Sequence, residues 1–288
     1  MAGKNRHFPL PQVQAQDPCA IRHGGCSGGF VRMAGQLRNF RTIGDAIHVQ
    51  SVYLVLMCHG VTLRRKHEGY QEVKLGDWSS DVCSSDLDPA GAVRRALASD
   101  PLPECKGRRV VLAVGKAACA MMEEALKHLP VPSKAVAVTN RENLRELEGV
   151  QVICGEHPVP GSGSAKAGEA LLSAVESLGP EDQVLALVSG GGSALAIAPV
   201  SAISFAEKQL AGAVLLASGL DINRMNLVRQ CLSRIKGGGL LAAAAPAQVH
   251  SLILSDVIGD DLRVVASGPT VSPVGSCADA RQVLQDAG

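Results

Sequence analysis

Three groups of residues combine side chains and spacing suited to handling an anion. Lys116 follows a β-rich run, Arg109–Val114, and the chain-breaking Gly115. The apolar run Val184–Val188 leads into Ser189, Gly190, Gly191, Gly192 and Ser193, then into a helix-compatible Ala/Leu stretch. Consecutive glycines let the backbone approach a ligand closely, and free N–H groups at a helix start favour negative charge. A tight turn without a ligand has the same composition, but three glycines between serines favour phosphate or carboxylate binding. No GxxxxGK[ST] occurs, and Gly115-Lys116 is followed by Ala117, so the string is not a P-loop. The third group is Asn226, Arg229, Ser233 and Lys236, which share one arc of a helical wheel drawn from the N-cap Asp221. Such an arc is ordinarily a solvated face. Here it ends at Lys236-Gly237-Gly238-Gly239, a basic helix end beside a second glycine run.

These groups need strands and helices to bring them together. Asp88-Pro89 reads as an N-cap and N1 proline opening a helix. Arg109–Val114, Lys134–Thr139, Val150–Cys154, Val184–Val188 and Leu252–Leu254 read as strands, with helices over Ala117–Leu129, after Ser162 or Ser164, and over Ser204–Ser218. Fully apolar strands alternating with helices predict an α/β fold on a mostly parallel sheet. In such sheets ligands bind outside the carboxyl ends of the strands. Lys116, the SGGGS turn and Asp256, followed by Asp260 and Asp261, all fall at such ends. A lysine, a glycine cradle and carboxylates able to hold Mg²⁺ are the parts that phosphoryl transfer needs.

Bulk properties narrow the partners. The 288 residues carry a formal net charge of +1 without a long single-sign run, which gives nucleic acid or a membrane surface no electrostatic support. No apolar stretch approaches a membrane span, and the start MAGKNRHFPLPQ lacks a secretory apolar core. Nine cysteines without a CxxC pair read as reduced thiols in a cytoplasmic protein.

Composition divides the chain near residue 88. Phe8, Phe30, Phe40, Tyr53, Tyr70 and Trp78 precede it, and only Phe205 follows. Residues 1–87 show no sustained period, so they are expected to be disordered. Neither HGGCSGG at 23–29 nor Cys58, His59 and His67 has the flanking pattern or spacing of a site. Asp77–Leu87, DWSSDVCSSDL, back-translates to one reading frame of a common sequencing-library adapter. A Ser/Asp-rich linker explains its composition but not the particular string. The expectation is an unrelated fragment joined to an α/β domain at 88–288.

From Asp88 onward, VGKAACAM, HPVPGSGS, LVSGGGSAL, NLVRQCLSRIKGGGLL, PAQVHSLILSDVIGDD and ASGPT closely resemble the MOFRL-type glycerate kinases, or glycerate 2-kinases. The resemblance implies a three-layer Rossmann-like domain and ATP-dependent phosphorylation of D-glycerate, usually to 2-phosphoglycerate. It makes Lys116 and Arg229 candidate catalytic groups. Ser189, Gly190, Gly191, Gly192, Ser193, Asn226, Lys236 and Asp256 become candidates for binding substrate or nucleotide. The cofactors implied are ATP and Mg²⁺, the partner is the small molecule D-glycerate, and a homo-oligomer is left open. In this family the helix at QVLQDAG is followed by a second α/β domain, so the chain as written is expected to be inactive. Two alternatives stand beside this one. A hydroxypyruvate reductase should show GxGxxG after its first strand, where this chain has GKAACA. A non-functional chimeric product is the other.

Overall fold

The computed structural model describes residues 51–57, 60–65, 88–255 and 261–286. Asp256, Asp260, the glycine run at 23–29, Cys58, His59, His67 and the string at 77–87 lie outside the described residues. Strands β1 (Ser51–Met57), β2 (Gly60–Arg65), β3 (Arg109–Val114), β4 (Lys134–Thr139), β5 (Gln151–Cys154), β6 (Gln183–Val188) and β7 (Gln248–Leu254) form one sheet in the order β2-β1-β7-β6-β3-β4-β5. Every pairing is parallel except β1 with β2.

Composition sets residues 1–87 apart as an unordered segment, yet two strands come from it. The backbone of β1 runs parallel to β7, with Leu54 in register with Leu252. Without that pairing β7 would present an open edge of unpaired backbone groups.

The helices are α1 (Pro89–Ser99), α2 (Ala118–Lys127), α3 (Ser162–Val175), α4 (Gly192–Leu195), α5 (Phe205–Ala217), α6 (Ile222–Cys231), α7 (Gly239–Ala244) and α8 (Cys277–Asp286). Alternation along the strands builds two cores. Val111, Ala113, Leu185 and Leu187 face α1 and α2, whose Val93, Ala96, Met121 and Met122 are buried against them. Val110, Leu112, Val184 and Ala186 face the other way, onto Leu171 and Val175 of α3 and Leu240 and Leu241 of α7. Because both faces are covered, the strands read as continuous apolar runs. This is the three-layer, mostly parallel α/β sheet expected from the sequence. A third cluster joins α5, α6 and α8 through Leu215, Val228, Leu232 and Val283.

Local chemistry marks the helix starts. Asp88 Oδ1 accepts from the Gly91 amide at 2.8 Å with proline next in line, and Ser204 and Glu207 form a reciprocal capping box. The helix begun at Asp221 does not reach Lys236, as the wheel assumed, but ends at Cys231. Ser233 Oγ takes the amides of Ile235 and Lys236, and the Arg234 amide donates to the Ala198 carbonyl at 2.9 Å. These competing acceptors turn the chain out of the helix, so Ser233 and Lys236 do not extend the stripe of Asn226 and Arg229.

Candidate active site

Moving from β3, the chain adds β4 and β5 on one side of the sheet, then β6 and β7 on the other. The switch point of the sheet therefore lies between β3 and β6, where a crevice opens outside the strand ends. Val114 and Val188 are in register there, so Gly115-Lys116 and the SGGGS turn emerge side by side. Gly115 has φ +131°, and a side chain on it would collide with the backbone of Ser189. Only glycine admits this approach.

Ser189 is buried, and its Oγ accepts from the Ala117 amide at 3.2 Å while the Lys116 amide donates to the Gly190 carbonyl at 2.9 Å. Ser189 thus clamps the two strand ends together. Gly191, with φ +83°, leaves room for the Lys116 stem and the His157 ring, which lie 3.2 and 3.4 Å from where its Cβ would stand. Lys116 is exposed. The amides of Gly190, Gly191, Gly192 and Ser193 donate to no acceptor among the described residues. Gly192 packs against Ala266, with 2.8 Å between its would-be Cβ and the alanine methyl, which seats the first turn of α4 on the ASGPT segment.

A polar relay runs inward from the turn. Ser193 Oγ and Ser267 Oγ are 2.6 Å apart, and Ser267 Oγ donates to Asn226 Oδ1 at 3.1 Å. Ala266 and Ser267 hold left-handed conformations, with φ +50° and +59°, which are costly for residues bearing a side chain. Lys236 reaches the same place by another route. Its buried Nζ donates to the Ser193 carbonyl at 2.8 Å, and Gly237 and Gly238, both at positive φ, send their amides to the Ser267 and Gly268 carbonyls. Burial, with Arg229 and Lys208 nearby, pushes the Lys236 ammonium well below the usual lysine range. Arg229 is lowered by burial too.

Lys116, Gly190, Gly191, Gly192, Ser193, Asn226, Arg229 and Lys236 are therefore gathered around the strand ends, with Ser189 behind them. Lys208, His157 and Ser267 join them without having been singled out from sequence. The last two lie in the motifs HPVPGSGS and ASGPT, which were visible as strings but gave no role to single residues. The start of α3 holds no anion site of its own. Glu156 already accepts the amides of Gly161, Gly163 and Ser164 at 2.8–3.2 Å; burial is the largest single influence and raises its pKa, but the hydrogen bonds together outweigh it and lower the pKa. Among the described residues no cluster of three His, Cys, Asp or Glu stands ready for a metal, and Asp261 is paired with Arg263. No helix among the described residues is long and apolar enough to cross a membrane.

Comparison with known proteins places this arrangement. The chain is 40% identical over 205 residues to an Agrobacterium vitis protein that carries a hydroxypyruvate reductase name, covering 71% of this chain and 46% of that protein. It is 38% identical over 182 residues to a glycerate 2-kinase of Pyrococcus horikoshii, covering 63% of this chain and 41% of the relative. The crystal structure of a glycerate kinase from Thermotoga maritima superposes with a TM-score of 0.66 at 37% identity, covering 70% of this chain and 48% of that one. The chain spans about half the length of the relatives it matches. The sequence pattern of the domain of unknown function DUF4147 matches residues 81–288, starting inside the Asp77–Leu87 string. With most of its length matched, the chain belongs to the DUF4147 family.

Proposed function

We propose that this chain forms the phosphate-handling half of a glycerate kinase, which transfers a phosphoryl group from ATP to a hydroxyl of D-glycerate, giving 2-phosphoglycerate. The observation that carries this reading is the run of four amides at Gly190–Ser193, without an acceptor among the described residues, beside Lys116 at the switch point of the sheet. ATP with Mg²⁺ supplies the transferable phosphoryl group. Lys116 neutralises phosphate charge, and the amides of the glycine turn orient phosphate oxygens by hydrogen bonding. Ser189 and Gly115 keep the two strand ends close enough for both to act on one group. The glycerate kinase names of the relatives support the substrate. For Mg²⁺, the acidic residues Asp256, Asp260 and Asp261 are the support, and they rest on the sequence.

The reductase name of one relative is less well supported by the residues. The turn after β3 is GKAACA, and Ala117 stands where a dinucleotide site wants its second glycine. A phosphoryl-transfer site holds the reacting group from several sides, and half the length of the relatives is unmatched, so we expect slow turnover by the 288 residues alone. An ADP-release assay with D-glycerate, run beside NADH consumption with hydroxypyruvate and calorimetry with Mg-ATP, separates the readings. Mg-ATP binding with little ADP release is the expected result. Turnover at about 1–100 s⁻¹, the usual kinase range, overturns the half-site argument. NADH consumption without Mg-ATP binding overturns the kinase.

A further inference from the structure

The glycine turn accounts for one anion, yet the protein concentrates positive charge at a second place and gives it no counter-ion among the described residues. Lys208, Arg229 and Lys236 form no ion pair among the described residues. Lys208 is buried on α5 and donates to the Arg229 carbonyl at 2.9 Å. Lys236 is held by the carbonyls of Ser193 and Ala196. Both lysines thus have backbone acceptors. The Arg229 guanidinium, on a residue of intermediate exposure, has none among the described residues. One turn earlier on α6, Asn226 is 1% exposed. Its Oδ1 accepts from Ser267, while its Nδ2 is left without a partner. Residues three apart on a helix share a face, so Asn226 and Arg229 lie on the same side of α6. Buried polar groups such as the Asn226 amide are almost always satisfied, and a part-buried cation such as Arg229 favours a counter-charge. Two such groups together mark a place built for a ligand.

We propose that Asn226 and Arg229 form a subsite for the substrate carboxylate, distinct from the glycine turn that takes the phosphates, with Lys208 and Lys236 as positioning residues. This rests on the kinase reading above and adds where the acid end of the substrate lies. A planar guanidinium beside a planar amide matches a planar carboxylate in shape and donor geometry. The relay Asn226–Ser267–Ser193 links the subsite to the glycine turn through contacts of 3.1 and 2.6 Å. A short hydroxy acid can thus sit with its carboxylate at α6 and its hydroxyls toward the turn. Burial pulls Lys208 down to about 7 and lowers Arg229, as expected where cations await a counter-charge.

Calorimetric titration of the full chain with D-glycerate, glycerol, lactate and Mg-ATP tests the assignment, using wild type, Arg229→Gln, Asn226→Asp and Arg229→Lys. Wild type is expected to bind D-glycerate at least tenfold more tightly than glycerol, which has the hydroxyls without the carboxylate. Arg229→Gln and Asn226→Asp each lose tenfold or more for D-glycerate but less than threefold for Mg-ATP. Arg229→Lys, which keeps the charge, retains part of the affinity and guards against a folding defect. Near-ultraviolet circular dichroism checks each variant. Unchanged D-glycerate affinity in the folded variants, a loss confined to Mg-ATP, or equal binding of glycerate and glycerol overturns the subsite and leaves the kinase standing. Binding of lactate and glycerate through Arg229 by a chain that ignores Mg-ATP keeps the subsite and overturns the kinase.

Discussion

The two ends of the same strands treat charge in opposite ways. At the amino ends, charges are matched. Arg108, just before β3, pairs with Asp182, just before β6, at 2.8 Å, and Arg109 donates to Gln183 at 2.8 Å. Glu124 on α2 takes Arg94, Lys127 and His128 at 2.7–3.1 Å and is held at about 2 by those hydrogen bonds. At the carboxyl ends, Lys116 stands in solvent over a glycine turn, and three further cations lie beneath with no carboxylate in contact among the described residues. The amino end is arranged for stability and the carboxyl end, on the function proposed above, for an anion that arrives later. A cavity of about 290 Å³ does open at the amino end, lined by Leu97, Pro101, Arg109, His128 and Leu129. Its polar groups are turned to protein partners, as Arg109 is to Gln183 and His128 to Glu124.

Substitutions at the two ends should therefore differ in kind. The largest effect is expected from Lys116→Met, which removes the exposed cation beside the free amides. Mg-ATP affinity measured by calorimetry should fall about 30-fold or more, as for truncating one partner of a charge-paired contact, with the melting temperature nearly unchanged. Loss of Mg-ATP binding with an equal loss of stability would place Lys116 in the scaffold instead.

The next effect has the opposite sign from most substitutions. Lys208, buried and pulled to about 7 by that burial and by Arg229, must give up its proton or remain charged away from water. The unfolded lysine titrates near 10.5, so between pH 7 and 10.5 the unfolded chain binds more protons and stability rises with pH. Lys208→Met should thus stabilise the fold by a few kcal/mol at pH 6, on the order of the shift converted to energy, with the gain fading toward pH 10.5. Urea unfolding at the two pH values reads this directly. A destabilised variant at pH 6 would mean that the bond to the Arg229 carbonyl outweighs the buried charge.

At the amino end the smaller, ordinary effect is expected. The Asp182 carboxyl is held at about 2, first by Arg108 and then by the Gly179 amide. Its contribution is present above about pH 4, the unfolded value, and is lost as pH falls through 2. Asp182→Asn should cost about 1–2 kcal/mol at neutral pH, discounted because Arg108 is half exposed, and should match wild type near pH 2. A cost that persists at pH 2 would show that the pairing is not its source.

What was legible in the sequence follows from how local each signal is. The strand ahead of Lys116 and the apolar run ahead of Ser189 are contiguous patterns, so the sheet and the position of the turn could be read directly. Lys208 looks like any helix-surface lysine, because its burial depends on α5 packing against α6. Ser267 becomes part of the site only through the left-handed turn at Ala266 and Ser267, which no propensity favours. Lys236 was placed by a helical wheel that the structure interrupts at Cys231, yet it still reaches Ser193 because a glycine run redirects the chain. The string at Asp77–Leu87 is a separate matter, which we propose is adapter-derived. Sequencing the native DNA across residues 70–95 tests this, and contiguous native coding there would contradict it.

The most direct test of the contrast between the two ends is amide chemical-shift mapping on the isotope-labelled chain, titrated with Mg-ATP and then D-glycerate. The account predicts that Mg-ATP moves the amides of Gly190–Ser193 and Lys116, and that glycerate moves those of Asn226, Arg229 and Ser267. Arg108, Asp182 and the residues around the 290 Å³ cavity should stay still. Shifts concentrated around Arg109 and His128, with the glycine turn unmoved, would contradict it.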